Sequence, residues 1–239
     1  MTTLTVDKSE SRVRKMFGEI APSYDRMNHL LSMQVDRYWR WRTVRILRPR
    51  AGDPILDCCT GTGDLALAFL RATNGRSEII GGDFCRPMLD IADQKKAKQP
   101  HFDQLTFVEA DAQDLPFEDD RFGIVSVAFG LRNVADTDRG LAEMTRVCRP
   151  GGKVAVLEFS MPTWQPMRIF YGLYFKYVLP RIGQMLARNN SAAYEYLPES
   201  VGQFPQGEEL ASKMRKAGLS SVRWHSLTFG IVTLYIGEK

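Results

Sequence analysis

From residue 53 to residue 159, short apolar runs alternate with longer stretches of helical period. This pattern predicts a mostly parallel sheet covered by helices. Strands are expected at 54–59, 78–83, 105–109, 122–129 and 153–159, and helices at 64–72, 86–98 and 136–147, where Leu141, Met144 and Val147 recur at helical spacing. The run Arg149-Pro150-Gly151-Gly152 predicts the turn between the last of these helices and the last strand. Upstream, 9–20 and 36–47 read as helices joined by a stretch around Ser23-Tyr24-Asp25-Arg26-Met27-Asn28. Downstream, 164–186 is dense in aromatic and aliphatic residues yet carries Arg168, Lys176 and Arg181. A helix at 208–217 then precedes two strands, 222–227 and 231–236, about Gly230. Five strands plus this pair make a seven-stranded α/β sheet with an antiparallel C-terminal edge. The pattern divides one domain into a helical N-terminal cap (1–50), a core (53–159), a helical insertion (160–206) and a C-terminal helix with strands (207–239).

The 239 residues suffice for one sizeable core, and no repeat or low-complexity tract interrupts them. No stretch of about 18 uncharged apolar residues exists to span a membrane. The nearest candidate, 169–179, is short and broken by Lys176. The polar first ten residues lack the apolar centre of a secretory signal, so a cytoplasmic location is expected. Cys58, Cys59, Cys85 and Cys148 form neither a CxxC pair nor a zinc spacing, which suits a reducing compartment and predicts no metal site. A net charge of +4 is too weak to imply nucleic acid. Its distribution says more: residues 12–50 hold ten Lys/Arg against Glu19, Asp25 and Asp36, a front end suited to an anionic surface.

The turn Asp57-Cys58-Cys59-Thr60-Gly61-Thr62-Gly63-Asp64 follows a predicted strand and opens a helix, the place where glycines let a backbone approach a nucleotide-like ligand. Gly61, Gly63 and Ala66 meet the dinucleotide pattern GxGxxA, and Asp83 stands at the end of the second strand as a ribose acceptor, so a nicotinamide oxidoreductase is allowed. Asp57 and Asp64, however, flank the turn and would repel a pyrophosphate. S-Adenosylmethionine, with a sulfonium, an ammonium and no phosphate, fits better. A carboxylate of the acidic patch Glu109-Ala110-Asp111-Ala112 at the end of the third strand could then accept from the adenine amino group. The plainer reading of Asp57, Asp64 and Asp111 is that each caps a turn or helix.

These features resemble class I S-adenosylmethionine-dependent methyltransferases, in the run 55–69, in Phe122-Gly123-Ile124-Val125 and in the Arg-Pro-Gly-Gly turn. Three more restrictive segments are similar to the demethylmenaquinone and ubiquinone C-methyltransferase family. They are Met16-Phe17 with Ala21-Pro22-Ser23-Tyr24-Asp25-Arg26-Met27-Asn28, then Phe129-Gly130-Leu131-Arg132-Asn133-Val134, and Tyr194-Glu195-Tyr196-Leu197-Pro198-Glu199-Ser200. The resemblance runs from about Val13 to the C-terminus and implies a Rossmann-like fold and C-methylation of a polyprenylated quinol. Demethylmenaquinol is the favoured substrate, a benzoquinol precursor of ubiquinone the alternative. It implies cofactor contacts at Thr62, Asp83, Asp111 and Ala112. The sequence departs from some relatives at Ala128, where they carry Ser, and at Cys58-Cys59-Thr60, where bulk replaces small residues; inert packing is expected of the two thiols.

C-Methylation of a quinol ring needs a deprotonated hydroxyl to enrich the neighbouring carbon, and an in-line approach of carbon, methyl and sulfur. Arg132, permanently charged at the carboxyl edge of the fourth strand, is the candidate for oxyanion stabilisation, with a surface ion pair as its plainer role. Asn133 is the candidate donor to a quinol oxygen, and Tyr24 the candidate to relay a proton or stack on the ring. His29 titrates in the right range but reads as a turn or cap residue. The 164–186 segment is either a lid and tail channel or a buried or dimer-forming helix. Its basic residues and those of the N-terminus would suit peripheral contact with an anionic membrane. A non-catalytic protein that keeps the fold is the remaining class.

Overall fold

The structure, a computed structural model, describes residues 8–162, 164–174, 177 and 192–239. Seven strands form one sheet: β1 (Ile55–Cys58), β2 (Ile79–Asp83), β3 (Leu105–Glu109), β4 (Phe122–Ala128), β5 (Cys148–Phe159), β6 (Ser220–Leu227) and β7 (Val232–Glu238). Their order is β3-β2-β1-β4-β5-β7-β6. The first five are mutually parallel, and β7 inserts antiparallel between β5 and β6. The seven-stranded α/β expectation therefore holds, and its antiparallel character resides in β7. In β5 the expected Arg-Pro-Gly-Gly turn is an excursion within the strand: partners of β4 jump from Cys148 to Lys153, while Gly151 and Gly152 bond across to Lys239.

The sheet is covered on both faces, which is why its strands read as nearly continuous apolar runs. Side chains alternate between two cores. Leu56, Val125, Val154, Val156 and Tyr235 enter one, with Leu141 and Met144 of α6 (Thr137–Val147) and Leu210 and Met214 of α9 (Glu208–Lys216). Ile55, Ile124, Ala155, Leu157 and Leu234 enter the other. There they meet α3 (Val35–Leu47), α4 (Asp64–Thr73) and α5 (Arg86–Lys96) through Trp39, Leu47, Phe69 and Leu89.

The N-terminal segment lies across the carboxyl ends of the parallel strands as α1 (Glu10–Ile20) and α2 (Tyr24–Leu31). The stretch read as a joining loop is thus mostly helix α2. Its last turn is fixed from outside, by the Tyr174 hydroxyl donating to the Leu31 carbonyl at 2.7 Å and by His29 on Asp36 of α3 at 2.8 Å. Downstream of β5, α7 (Gln165–Leu173) and α8 (Ala192–Gln203) are helical. Lys176, Val178, Leu179, Arg181 and Leu186, on which part of the lid reading rests, lie outside the described residues.

Candidate functional site

The glycine turn is built by close packing. Gly63 has φ +80°, and a Cβ there would stand 2.5 Å from the Phe107 ring, so only glycine lets α4 start against β3. Two aspartates hold the turn. The Asp83 carboxylate, at the end of β2, accepts from the backbone N–H of Gly61 at 2.8 Å and of Cys85 at 2.9 Å. Asp57 is buried at the end of β1 and accepts from the Thr60 hydroxyl at 2.7 Å and the Ser126 hydroxyl at 2.8 Å. Burial pushes the Asp83 carboxyl up, and pushes Asp57 up to about 6 despite its two hydroxyl donors.

The Asp57 shift carries a pH signature. A carboxyl that keeps its proton to higher pH when folded stabilises the fold fully below its unfolded value of 3.8, and this contribution is lost as pH rises through about 6. Asp57→Asn is isosteric and has no such ionisation. We therefore expect the Tm of the variant minus that of wild type to increase from pH 4 to pH 7; a difference flat with pH would contradict the assignment.

A cavity of about 260 Å³ opens over the turn. Its lining brings together the nine candidate cofactor and catalytic residues, Tyr24, Asp57, Gly61, Thr62, Asp83, Asp111, Ala112, Arg132 and Asn133, together with Asp64, whereas Gly63, Ala66 and His29 stay outside it. Tyr24, edge-on to Phe17, faces the turn from α2; burial raises its pKa, so it is a phenol and a donor at neutral pH. Asp111 accepts from the N–H of Gln113 at 2.9 Å, so it shapes the loop after β3 while lining the cavity. Ala128 and Cys59 line it too, and burial pushes the thiols of Cys58 and Cys59 well up, leaving them protonated.

The charge of the site differs from the sequence reading at Asp64. Its carboxylate is not a free anion beside the turn: Lys95 bonds it directly and Arg40 lies 3.6 Å away. Burial alone would raise Asp64, but these two cations outweigh it and hold the carboxyl below its usual range. Lys95 also reaches Asp25 at 2.9 Å, and Asp25 accepts from the Thr62 hydroxyl at 2.6 Å. The side chain of Thr62 is thereby tied to α2, leaving its backbone for a ligand. His29, Asp36 and Asp64 bring donor atoms within 4.8 Å of one another. Arg40 sits between the two carboxylates, at 2.5 Å from Asp36 and 3.6 Å from Asp64, as the cation they share.

Arg132 follows β4 in a single tight turn with Asn133. It is an ion pair, as the plainer reading had it, but a buried one. Only 6% of the residue is exposed, and Nη1 donates to the Glu158 carboxylate at 2.8 Å and to the Phe129 carbonyl. Its guanidinium lies over the Phe159 ring, 5.4 Å from the centroid. Among the described residues, the buried Nε of Arg132 and Oδ1 of Asn133 have no hydrogen-bond partner. Both belong to residues that line the cavity, as do Tyr171 of α7 and Tyr196 of α8. Glu158, absent from the sequence reading, gives one signal: a lone charge inside the apolar run 154–159.

Comparison with known proteins places the chain in a family. The ubiE/COQ5 methyltransferase family model matches residues 5–239. A demethylmenaquinone methyltransferase of Thermus thermophilus is 46% identical over 94% of this chain and all of its own length. A ubiquinone/menaquinone biosynthesis C-methyltransferase UbiE of Geobacter sulfurreducens is 42% identical over the whole chain and 93% of its own. Among solved structures, a SAM-dependent methyltransferase of Thermotoga maritima superposes with a TM-score of 0.67 at 18% identity, covering 95% of this chain and 99% of that one. At that identity the likeness speaks for the fold alone. The nicotinamide oxidoreductase and the non-catalytic alternatives give way: this chain is a methyltransferase and belongs to the ubiE/COQ5 methyltransferase family.

Proposed function

We propose that this protein methylates a ring carbon of a polyprenylated quinol, converting demethylmenaquinol to menaquinol, with S-adenosylmethionine as donor. The observation that carries the reading is one cavity in which an adenosine cradle and two unpartnered polar groups, Arg132 Nε and Asn133 Oδ1, share a lining. The names of relatives favour the naphthoquinol: those of Thermus thermophilus and Bacillus subtilis are both demethylmenaquinone methyltransferases. A benzoquinol precursor of ubiquinone is the second reading, since the Geobacter relative is named for both quinones.

The donor set suits this cofactor. The Asp83 carboxylate, two of whose lone pairs are taken by backbone N–H groups, keeps others for ribose hydroxyls. Gly61, with φ +57° and nothing nearer its missing Cβ than 3.9 Å, leaves room for close backbone approach. Arg40 and Lys95, the cations beside the turn, are already engaged by Asp36, Asp64 and Asp25, and Asp57, Asp83 and Asp111 add negative charge to the lining, which favours a sulfonium over a pyrophosphate. When bound, the cofactor supplies a methyl on sulfur and leaves as a neutral thioether. Arg132 holds the ring oxygen as it loses its proton; Asn133, whose Nδ2 donates to the Phe129 carbonyl, offers Oδ1 as an acceptor to a quinol hydroxyl in place of the donor role expected from sequence; and Tyr24, a donor at neutral pH, orients the ring from above. The new C–C bond takes the electron pair of the oxyanion-enriched carbon. Rearomatisation then expels the hydrogen on that carbon and the ring oxygen regains a proton, so one proton is released overall per methyl transferred. No redox step or metal is required.

In this reading the chain is one domain: among the described residues, 8–50 cap the site, 53–159 carry the cofactor, and α7 and α8 of the 160–206 insertion enclose the acceptor. Its tail leaves past Tyr171 and Tyr174. Peripheral membrane contact follows from the surface beside that exit. The outer face of α3 exposes Arg37, Tyr38, Trp41, Arg42 and Arg45, with the Arg45 guanidinium 5.2 Å from the Trp41 ring centroid, and Ile169 and Leu173 of α7 are exposed as well. Aromatic and basic side chains on one face suit an anionic headgroup layer. Flotation with vesicles of rising anionic content should recover increasing protein; flotation independent of lipid charge would remove the membrane contact. Dimerisation in sedimentation that Ile169→Asp abolishes would assign α7 to self-association instead. Substrate choice is tested by initial rates on short-tailed demethylmenaquinol and on a benzoquinol precursor side by side. The naphthoquinol is expected to be the faster, and the reverse order would favour the second reading.

A further inference from the structure

Glu158 is, with Asp57, one of the two most buried acidic side chains near the cavity, 1% exposed and at the end of β5, yet unlike Asp57 it does not line the cavity. Its carboxylate grips Arg132 at two places. Oε1 accepts from the backbone N–H of Arg132 at 3.2 Å, and Oε2 accepts from Nη1 at 2.8 Å and from the N–H of Phe159 at 3.3 Å. The Phe129 carbonyl takes the other hydrogen of Nη1. One end of the guanidinium is thereby saturated by protein, whereas the buried Nε–H has no acceptor among the described residues. A buried charge-bearing donor left open costs free energy unless a ligand completes it. A strand end is also a rigid mount, so the aim of the guanidinium is set by the sheet and not by the short turn that carries Arg132.

We propose that Glu158 is a positioning residue for methyl transfer, clamping Arg132 by its backbone and by Nη1 so that the rest of the guanidinium is presented to the oxygen beside the reacting carbon. The inference rests on the reading of Arg132 given above. Glu158 has a second effect through its charge: it neutralises Arg132 in part, and so sets how strongly the guanidinium favours ionisation of the bound quinol. The other titratable groups facing this pair are Lys8 before α1, Tyr24 of α2, Tyr171 of α7, Tyr196 of α8 and Tyr235 of β7.

Two substitutions separate reach from charge. Glu158→Gln keeps the length, but its amide accepts at one end only and carries no charge. Glu158→Asp keeps the charge and loses a methylene of reach. The measurement is kcat, the KM of each substrate and the pH profile of kcat, with short-tailed demethylmenaquinol as acceptor. Misaimed by an ångström or less, the guanidinium should cost both variants about 10- to 100-fold in kcat. The cofactor KM should stay within about twofold. In Glu158→Gln alone, the ionisation governing kcat should move to lower pH by about one unit, because the unneutralised Arg132 favours the oxyanion. If Glu158→Gln does not fold, Glu158→Asp decides by its kcat at unchanged cofactor KM. An unmoved profile in Glu158→Gln, or losses spread evenly over kcat, cofactor KM and Tm, would reduce Glu158 to a structural residue and overturn the inference. Absence of methyl transfer by the wild-type protein would instead overturn the reading of the site.

Discussion

Arg132→Ala is expected to lower methyl transfer by about 100- to 1000-fold, the usual effect of deleting one oriented donor to a developing oxyanion. The same change should cost about 3–5 kcal/mol of stability, because it strands the buried Glu158 carboxylate without its cation. A loss of activity in this variant alone is therefore ambiguous. The compensated pair Arg132→Met with Glu158→Leu resolves it. Filling the space with apolar side chains returns most of the stability, since a buried ion pair exchanged for packed hydrocarbon is near neutral. Turnover should stay lost, and cofactor affinity should stay close to that of wild type. Denaturant unfolding, calorimetric titration and a methyl-transfer assay on the three proteins make the comparison. Recovery of turnover in the double variant would mean that Arg132 serves the fold and not the reaction.

The second large effect is expected at Asp83. Its carboxylate organises the turn through the N–H groups of Gly61 and Cys85 and is the candidate acceptor for the ribose hydroxyls. Hydrogen bonds to a charged acceptor contribute about 1.5–3 kcal/mol each, so losing two to the ribose should weaken cofactor binding by about 100-fold or more. Asp83→Ala additionally frees two backbone donors beside the turn, and a drop in Tm should accompany the loss of affinity. Calorimetric titration with S-adenosylhomocysteine reads the affinity directly. A Kd within about fivefold of wild type would place the adenosine elsewhere in the cavity, because such a change is smaller than one charged hydrogen bond.

The parts of the fold that announce themselves in sequence are those set by local pattern. Strands buried on both faces leave apolar runs, and the glycine turn leaves its spacing, so the sheet and the position of the cradle are legible in the chain itself. Helix α2 is not, because eight residues, half of them polar, shortly after Pro22 are too few to show a helical period. Tertiary bonds through Tyr174 and His29 hold its last turn. The side chains facing the cavity are legible as chemistry but not as partners. Asp64 reads as a free anion until Arg40 and Lys95, remote in sequence, are seen to neutralise it. Arg132 reads as a surface ion or a catalytic group; burial against Glu158 makes it an ion pair that engages only one end of the guanidinium and leaves Nε–H open. Spacing along a chain carries no record of which distant charge a carboxylate will meet. The isolated Glu158 in a buried strand is the one legible hint.

The most direct test of the account is incubation of the purified protein with methyl-labelled S-adenosylmethionine and chemically reduced short-tailed demethylmenaquinone, followed by mass spectrometry of the ring. One labelled methyl is expected on the carbon adjacent to a hydroxyl, formed with one equivalent of S-adenosylhomocysteine. Label on a ring oxygen, or none on the quinol while the protein binds the cofactor, would contradict it.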